Sequence, residues 1–143
     1  MFRFLVVASA MTLSASHALA GGHGGGDPPP PKVEAPTAPA KVILTKQGSK
    51  LVDLNGMTLY TYERDTTGKT SNCNDKCTEL WVPLAATADA RAVGDFTVIS
   101  RNDGTKMWAY RYRPLYTSPA DKAPGDANGN AMTLQWRVAR PEN

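Results

Sequence analysis

The side chains that could do chemistry are few, and a pair of cysteines comes first among them. The 143-residue chain carries Cys73 and Cys77, and Thr78 follows the second. This spacing fits neither the Cys-x-x-Cys-His of haem attachment nor the Cys-x-x-Cys of redox motifs. If the chain is exported, the pair predicts a structural disulfide, with a thiol–disulfide redox pair as the weaker alternative. A regular helix holds such Cβ atoms about 5–6 Å apart, whereas a disulfide needs about 3.8 Å, so we expect a loop or distorted turn.

Histidine, the commonest general base and metal ligand, occurs twice in the chain. The two residues, His17 and His23, both precede the part that we expect to fold. No Ser-His-Asp triad, Cys-His dyad or histidine-rich zinc site can therefore be assembled in that part. Carboxylate pairs such as Glu63 and Asp65 remain as candidate acid–base groups, but like charges near a surface turn are more often solvated. The sequence accordingly predicts that the protein is not an enzyme.

The first twenty residues predict a signal peptide. One positive charge at Arg3 precedes a short apolar run, and Ala18-Leu19-Ala20 supplies the small-x-small pattern that a signal peptidase needs. The apolar run falls well short of the roughly 20 residues that a membrane-spanning helix requires. We expect export to the periplasm or beyond, with cleavage after Ala20. Neither cysteine lies at the predicted new terminus, so no lipid anchor is expected. No other stretch of the sequence is apolar enough to span a membrane, so no membrane span is expected.

Cleavage after residue 20 would expose a metal-binding terminus. The mature chain would begin Gly21-Gly22-His23. Its amine, two deprotonated backbone amides and the imidazole would supply four nitrogens in one plane, a set that suits Cu(II) or Ni(II). Histidine must be third, because only that spacing closes fused chelate rings around one metal. A glycine-rich segment can also place a histidine third by accident, so metal binding is an alternative hypothesis, and no other cofactor is expected.

Composition divides the remaining chain in two. Residues 21–40 are rich in glycine and proline, which predicts a flexible tether that cannot build a core. Residues 41–143 are then one small folded domain. Removing the signal peptide removes Arg3, so the formal net charge falls from +3 to +2. That charge is too small to imply a nucleic-acid partner.

An internal repeat is the most informative feature of the folded part. A shift of 56 residues places 42–65 on 98–121, with eight identities in 24 positions and no gap. A duplication at this period defines the architectural unit. The identical residues of the first copy are Val42, Ile43, Gly48, Lys50, Leu59, Tyr60, Thr61 and Asp65.

Each repeat reads as short strands. Asn55-Gly56 predicts a hairpin turn between strands, because both residues tolerate positive φ. In the second copy Trp108, Tyr110 and Tyr112 alternate on one face of a predicted strand, and Leu134, Trp136 and Val138 predict a final strand. We therefore predict an all-β protein in which two pseudo-repeated, three-stranded antiparallel units pack into one small domain.

The first repeat ends in a Tyr-x-Tyr-x-x-Asp motif, formed by Tyr60, Tyr62 and Asp65. The second repeat keeps Tyr116 and Asp121 but has serine in place of the second aromatic residue. With the Asn72–Cys77 and Trp81–Leu84 segments that follow, the chain resembles the bacterial secreted-repeat lipoprotein family marked by a Tyr-x-aromatic-x-x-Asp motif. The resemblance covers essentially the whole folded part. It implies a location in the cell envelope and no established biochemical role, and the missing lipidated cysteine replaces membrane anchoring with a soluble periplasmic or secreted location.

The motif has two interpretations. Asp65 could accept backbone N–H bonds of the next turn and order it, or the tyrosines and the carboxylate could bind a sugar or a cation. Duplication at Tyr116 and Asp121 favours the structural interpretation. The leading functional hypothesis is a non-catalytic binding module of the bacterial envelope, with an unknown ligand or envelope partner and with Tyr60 and Trp108 as candidate contacts.

Overall fold

The computed structural model describes residues 35–66 and 68–141. The predicted signal peptide and Gly21-Gly22-His23 lie outside these residues. In the described part, strand β1 begins at Ala40, one residue before the predicted start of the domain. The elements are β1 Ala40–Thr45, β2 Gly48–Asp53, β3 Tyr60–Tyr62, helix α1 Cys77–Leu80, β4 Val82–Pro83, β5 Phe96–Ser100, β6 Lys106–Tyr110, β7 Arg113–Pro114, β8 Tyr116–Thr117, a 3-10 turn Asn128–Ala131 and β9 Trp136–Val138.

The predicted all-β class is confirmed, but the strands do not separate into two self-contained, three-stranded units. They form three antiparallel sheets with the orders β1-β2, β4-β8-β3-β9 and β5-β6-β7. The four-stranded sheet alternates strands from the two halves of the folded part: β3 and β4 belong to the first repeat and the segment after it, and β8 and β9 belong to the second repeat and the segment after it. At its centre Tyr60 lies opposite Tyr116. This exchange of strands between the repeats buries both tyrosines, because each tyrosine is covered by strands of the other repeat.

The hairpin predicted at Asn55-Gly56 is present, although only the glycine adopts positive φ, at 86°. The Gly56 N–H donates to the Asp53 carbonyl, and the Asp53 N–H donates to the Met57 carbonyl. The Asp53 carboxylate accepts from the N–H groups of both Asn55 and Met57 at 2.9 Å. The Asp53 side chain therefore stabilises the turn, although Asn55 does not adopt the left-handed conformation.

The alternation predicted for the second repeat holds through β6 and then ends. Trp108 and Met107 pack on opposite faces of that strand. Arg111 and Tyr112 do not continue it, because they adopt φ values of 46° and 64° and turn the chain into β7. Tyr112 is 71% exposed. The final strand is likewise shorter than predicted, since Leu134 lies before β9 and is exposed.

Two hydrophobic clusters fill the interior on the two faces of β6. The first, here called the aromatic core, contains Tyr60, Cys73, Trp81, Ile99, Met107, Ala109, Tyr116 and Trp136. The second contains Ala40, Leu51, Leu59, Phe96, Trp108, Leu115 and Ala139. Both clusters take residues from both repeats, so neither repeat has a core of its own. Among residues 35–66 and 68–141 no helix is long and apolar enough to cross a membrane.

Candidate functional site

The two copies of the tyrosine–aspartate motif bind each other. The Tyr60 hydroxyl donates to Oδ2 of Asp121 at 2.7 Å, and the Tyr116 hydroxyl donates to Oδ2 of Asp65 at 2.7 Å. Each tyrosine thus holds the aspartate of the other repeat. We call these two buried pairs, Tyr60–Asp121 and Tyr116–Asp65, the cross-repeat locks. In the cross-repeat locks, the motif tyrosine of each repeat is hydrogen-bonded to the motif aspartate of the other, which joins the two repeats.

Each aspartate of the locks also orders the loop that follows it. Oδ1 of Asp65 accepts from the Asn72 N–H, and Oδ1 of Asp121 accepts from the Asn128 N–H, both at 2.7 Å. The side-chain amide of each asparagine donates to the carbonyl of the residue just before the aspartate, at 2.6 and 3.1 Å. The donor lies seven residues along the chain, farther than the next turn that sequence reasoning suggested.

Two buried cations reinforce the locks, and sequence reasoning missed both. Nη2 of Arg101 donates to the Cys73 carbonyl and Nη1 donates to the Ser71 hydroxyl, each at 3.1 Å. Nζ of Lys50 donates to the Gly125 carbonyl at 2.8 Å. Each cation therefore comes from the hairpin of one repeat and holds the loop that follows the aspartate of the other. A buried cation of this kind is stabilised by such bonds and is costly without them.

The electrostatics of the locks favour a structural role. Burial raises the pKa of both Tyr60 and Tyr116 far above the usual range, and hydrogen bonds to the aspartates add to the effect. Burial also raises the pKa of Asp65, against the opposing influence of the Asn72 N–H, the Tyr116 hydroxyl and Arg101. Both phenols stay protonated as donors, and Asp65 is enclosed. These groups are poorly placed to meet a substrate.

The motif tyrosines Tyr60 and Tyr62 belong to a stack of aromatic side chains inside the protein. Trp136 lies between Tyr62 and Trp81, with ring centroids 4.4 and 3.9 Å away. Tyr60 meets Trp81 edge-on at 5.2 Å, and Tyr116 meets Trp136 edge-on at 4.9 Å. Such arrangements are the favourable ones for aromatic pairs.

The placement of Tyr60 and Trp108 argues against the sequence-based view of them as ligand contacts. Tyr60 is 0% exposed and Trp108 is 8% exposed. A ligand could reach the Tyr60 ring only after the repeats separate, whereas Trp108, though mostly buried, lines a pocket of about 340 Å³. The physical reason is the strand exchange, which covers Tyr60 with the second repeat.

The predicted disulfide is confirmed between Cys73 and Cys77, whose Cα atoms lie 5.2 Å apart. The expected distorted turn is also present, since Asp75 adopts a φ of 51° and α1 begins only at Cys77. Cys73 is fully buried and its carbonyl accepts from Arg101. The disulfide therefore fixes a loop that carries part of one lock. Enclosure of Cys73 argues against the weaker redox alternative.

The other sequence-predicted groups do not converge on a chemical centre. Glu63 lies at the surface and binds Arg137, whereas Asp65 lies inside and binds Tyr116. The two carboxylates therefore do not work as an acid–base pair. Within the described residues no group of three or more histidine, cysteine, aspartate or glutamate side chains could hold a metal ion.

An open groove lined by arginines is the most distinctive polar surface. Its volume is about 600 Å³. The basic residues come from two separate parts of the chain, the turn between β6 and β7 and the segment that runs through β9 to its end. The lining residues are Thr61, Tyr110, Arg111, Arg113, Asn130, Arg137, Val138, Ala139 and Arg140.

The four arginines of this groove differ in their partners. Nε of Arg111 lies 3.0 Å from the Asp95 carboxylate, and Nε of Arg137 binds the Glu63 carboxylate. Nη1 of Arg140 donates to two backbone carbonyls at 3.1 and 2.9 Å. These contacts leave further N–H groups of each guanidinium for other acceptors.

Arg113 is the least engaged of the four. It is exposed, and among the residues that the structure describes its guanidinium has no hydrogen-bond or ion-pair partner. Sequence reasoning missed this groove because Arg113 and Arg140 are far apart along the chain. The one available signal was the spacing of Arg111 and Arg113, which is too short to distinguish a site from an ordinary surface.

Comparison with known proteins agrees with the repeat. A family model described as a secreted repeat of unknown function matches residues 41–85 and, a second time, residues 97–140. The two matches together span more than half of the chain and contain the repeats 42–65 and 98–121. No curated protein and no solved structure matches.

Proposed function

We propose that this chain, which belongs to the family of secreted repeats of unknown function, is an exported, non-catalytic binding module of the bacterial envelope. Its ligand is anionic, and its site is the arginine groove. The observation that carries the proposal is the convergence of four arginines from two chain segments on one groove. The absence of catalysis is supported by the enclosure of the motif carboxylates and phenols in the cross-repeat locks.

The existing ion pairs of the groove do not block an anionic ligand. Arg111 and Asp95 expose 46% and 51% of their side chains, and Arg137 and Glu63 expose 64% and 43%. Exposed pairs of this kind typically contribute about 0–1 kcal/mol. A ligand that engages several guanidinium groups at once can therefore displace these pairs at small cost.

The Arg113→Gln substitution is expected to weaken binding of an anionic polymer such as polyphosphate by about tenfold or more, because it removes a charge-assisted contact. Folding should not change, since the side chain is exposed and unpaired in the described part of the chain. The matched control is Arg91→Gln, which removes the same charge from an exposed position that does not line the groove. Affinity is measured by isothermal titration calorimetry, and thermal unfolding confirms that both variants are folded.

Equal losses of affinity in Arg113→Gln and Arg91→Gln would mean that binding follows net charge alone. That result would contradict the groove as a site. A loss confined to Arg113→Gln, deepened by adding Arg140→Gln, is the expected pattern.

We propose copper or nickel binding at the mature terminus as a second function, supported by the spacing of Gly21-Gly22-His23 after the predicted cleavage site. Titration of the mature protein with Cu(II) should give 1:1 binding. His23→Ala, or one extra residue before Gly21, should abolish it, because either change destroys the fused chelate rings. Binding that survives both changes would refute this proposal. The two functions are independent, since Arg113→Gln should leave copper binding intact.

A further inference from the structure

We infer that the arginine groove binds two neighbouring phosphate groups, one group held chiefly by Arg111 and Arg113 and the other by Arg137 and Arg140. This inference rests on the proposed function and specifies the chemistry of its ligand. In the first pair Arg111 lies in the turn between β6 and β7 and Arg113 begins β7, and the second pair belongs to β9 and the residues after it. The Tyr110 hydroxyl donates to the Pro141 carbonyl at 3.0 Å and so ties the two segments together.

The turn that presents the first arginine pair is built at a conformational cost. Tyr110 pairs with Arg113 in the sheet, and the two residues between them, Arg111 and Tyr112, both adopt positive φ. A two-residue turn of this geometry is the one that Asn-Gly forms most easily, because side chains with a full Cβ are disfavoured there. Strain of this kind is typical of functional positions. The strain at Arg111 supports a binding role for this side chain in addition to its contacts with Asp95 and the Tyr110 ring.

A neighbouring loop holds the strained turn in place. Gly68 lies so close to Tyr112 that a Cβ on the glycine would be 2.5 Å from the Tyr112 Cβ and 2.7 Å from its carbonyl oxygen. Gly68 belongs to the loop that follows Asp65, which the Tyr116–Asp65 lock orders. The lock thus supports the loop, and the loop supports the turn that carries Arg111.

Phosphate fits this groove better than carboxylate does. Arg111 and Arg137 already bind the carboxylates of Asp95 and Glu63, so a carboxylate ligand would exchange one such pair for an equivalent one. Compared with a carboxylate, whose two oxygens lie in one plane, a phosphate group presents its acceptor oxygens in a tetrahedral arrangement. It can therefore accept from two guanidinium forks at once. Four arginines in two pairs match two such groups, whether these belong to a phosphorylated polymer or to lipid headgroups.

The first experiment compares phosphate with carboxylate probes on the full mature protein. Polyphosphate should bind at least about tenfold more tightly than polyglutamate of matched charge, and the difference should shrink in Arg113→Gln. Phosphatidylcholine vesicles with and without phosphatidic acid form a separate arm. Tight binding to the soluble polymer supports a polymer ligand, and binding that appears only with phosphatidic acid vesicles supports a lipid headgroup.

The second experiment uses the strained turn. Tyr112→Gly should raise the melting temperature, since glycine removes the strain, and should change polyphosphate affinity by less than about twofold because both arginines remain. Adding Arg111→Asn should keep the higher melting temperature and weaken polyphosphate binding by about tenfold or more. The single variant serves as the control for the double variant.

The outcomes separate the two proposals. Equal affinity for polyglutamate and polyphosphate, with the same dependence on Arg113, would overturn the phosphate inference and leave the anionic groove standing. Unchanged polyphosphate affinity in the Arg111→Asn, Tyr112→Gly variant would also overturn the inference. If no anionic probe depends on Arg113, the proposed function itself is wrong.

Discussion

Trp136→Ala is expected to destabilise the fold by about 3–5 kcal/mol, the usual range for removing a large aromatic side chain from a core. Trp136 is 4% exposed. It stacks between Tyr62 and Trp81 and meets Tyr116 edge-on. Its loss removes contacts with three aromatic side chains from both repeats. Since domains of this size have total stabilities of about 5–15 kcal/mol, the variant should be close to unfolding.

Urea unfolding followed by far-ultraviolet circular dichroism measures this effect without relying on tryptophan fluorescence. Leu134→Ala is the control, because Leu134 lies two residues earlier and is 89% exposed. Its expected effect is within about 0.5 kcal/mol. Similar, small effects in both variants would show that the stack is not the centre of the core.

Removing the hydroxyls of the cross-repeat locks should have the next largest effect on stability. Tyr60→Phe leaves Oδ2 of Asp121 and the buried Gly129 N–H without their partner, whereas Oδ1 of Asp121 keeps the Asn128 N–H. Tyr116→Phe removes the donor to Oδ2 of Asp65 and one partner of the Ser71 hydroxyl, although Asp65 keeps the Asn72 N–H and Ser71 keeps Arg101. Each substitution should cost about 1–3 kcal/mol, because leaving a buried polar group unsatisfied is more costly than losing a surface hydrogen bond.

The motif itself supplies the control. Tyr62→Phe removes the same hydroxyl from a half-buried ring whose oxygen lies 3.5 Å from Gln135, so its expected effect is below about 0.5 kcal/mol. The double variant Tyr60→Phe, Tyr116→Phe need not be additive, since the two tyrosines are cross-strand neighbours. Equal effects at all three tyrosines would contradict the locks.

The repeat could be predicted because its two copies can be aligned directly in the sequence. The arrangement of its strands could not, because it depends on pairing between residues that are distant along the chain. Tyr60 and Tyr116 match at a shift of 56 residues, and that match indicated duplication correctly. No local pattern indicates that Tyr60 pairs with Tyr116 and with Val138. Strand exchange is decided by which arrangement buries both tyrosines, and this is a property of the whole chain.

Residues that are identical in the two copies of the repeat do not always have the same structural role. Lys50 and Lys106 match in sequence, but Lys50 is buried on the Gly125 carbonyl, whereas Lys106 makes an exposed bond to the Ala88 carbonyl. The reason is hairpin register. Val42 lies opposite Leu51, whereas Val98 lies opposite Trp108, so one hairpin is longer by a single position. Such a shift places matched lysines on different faces of their strands.

The functional prediction could be refined only after the aromatic residues had been located. The sequence suggested Tyr60 and Trp108 as ligand contacts, but both side chains belong to the buried core, as does Trp136. The arginine groove carries the proposed binding instead. Its residues become neighbours because the β6–β7 turn and β9 meet in the fold. A search for motifs along the chain cannot show that these two segments are close in space.

One measurement can distinguish the structural role of the cross-repeat locks from the binding role of the arginine groove. Amide chemical shifts of the folded protein, followed by NMR during titration with polyphosphate, report where the ligand binds. We expect the largest changes at Arg111, Arg113, Arg137 and Arg140, with little change at the motif tyrosines. Changes centred instead on residues 60–65 and 116–121 would contradict the division between structural locks and a binding groove.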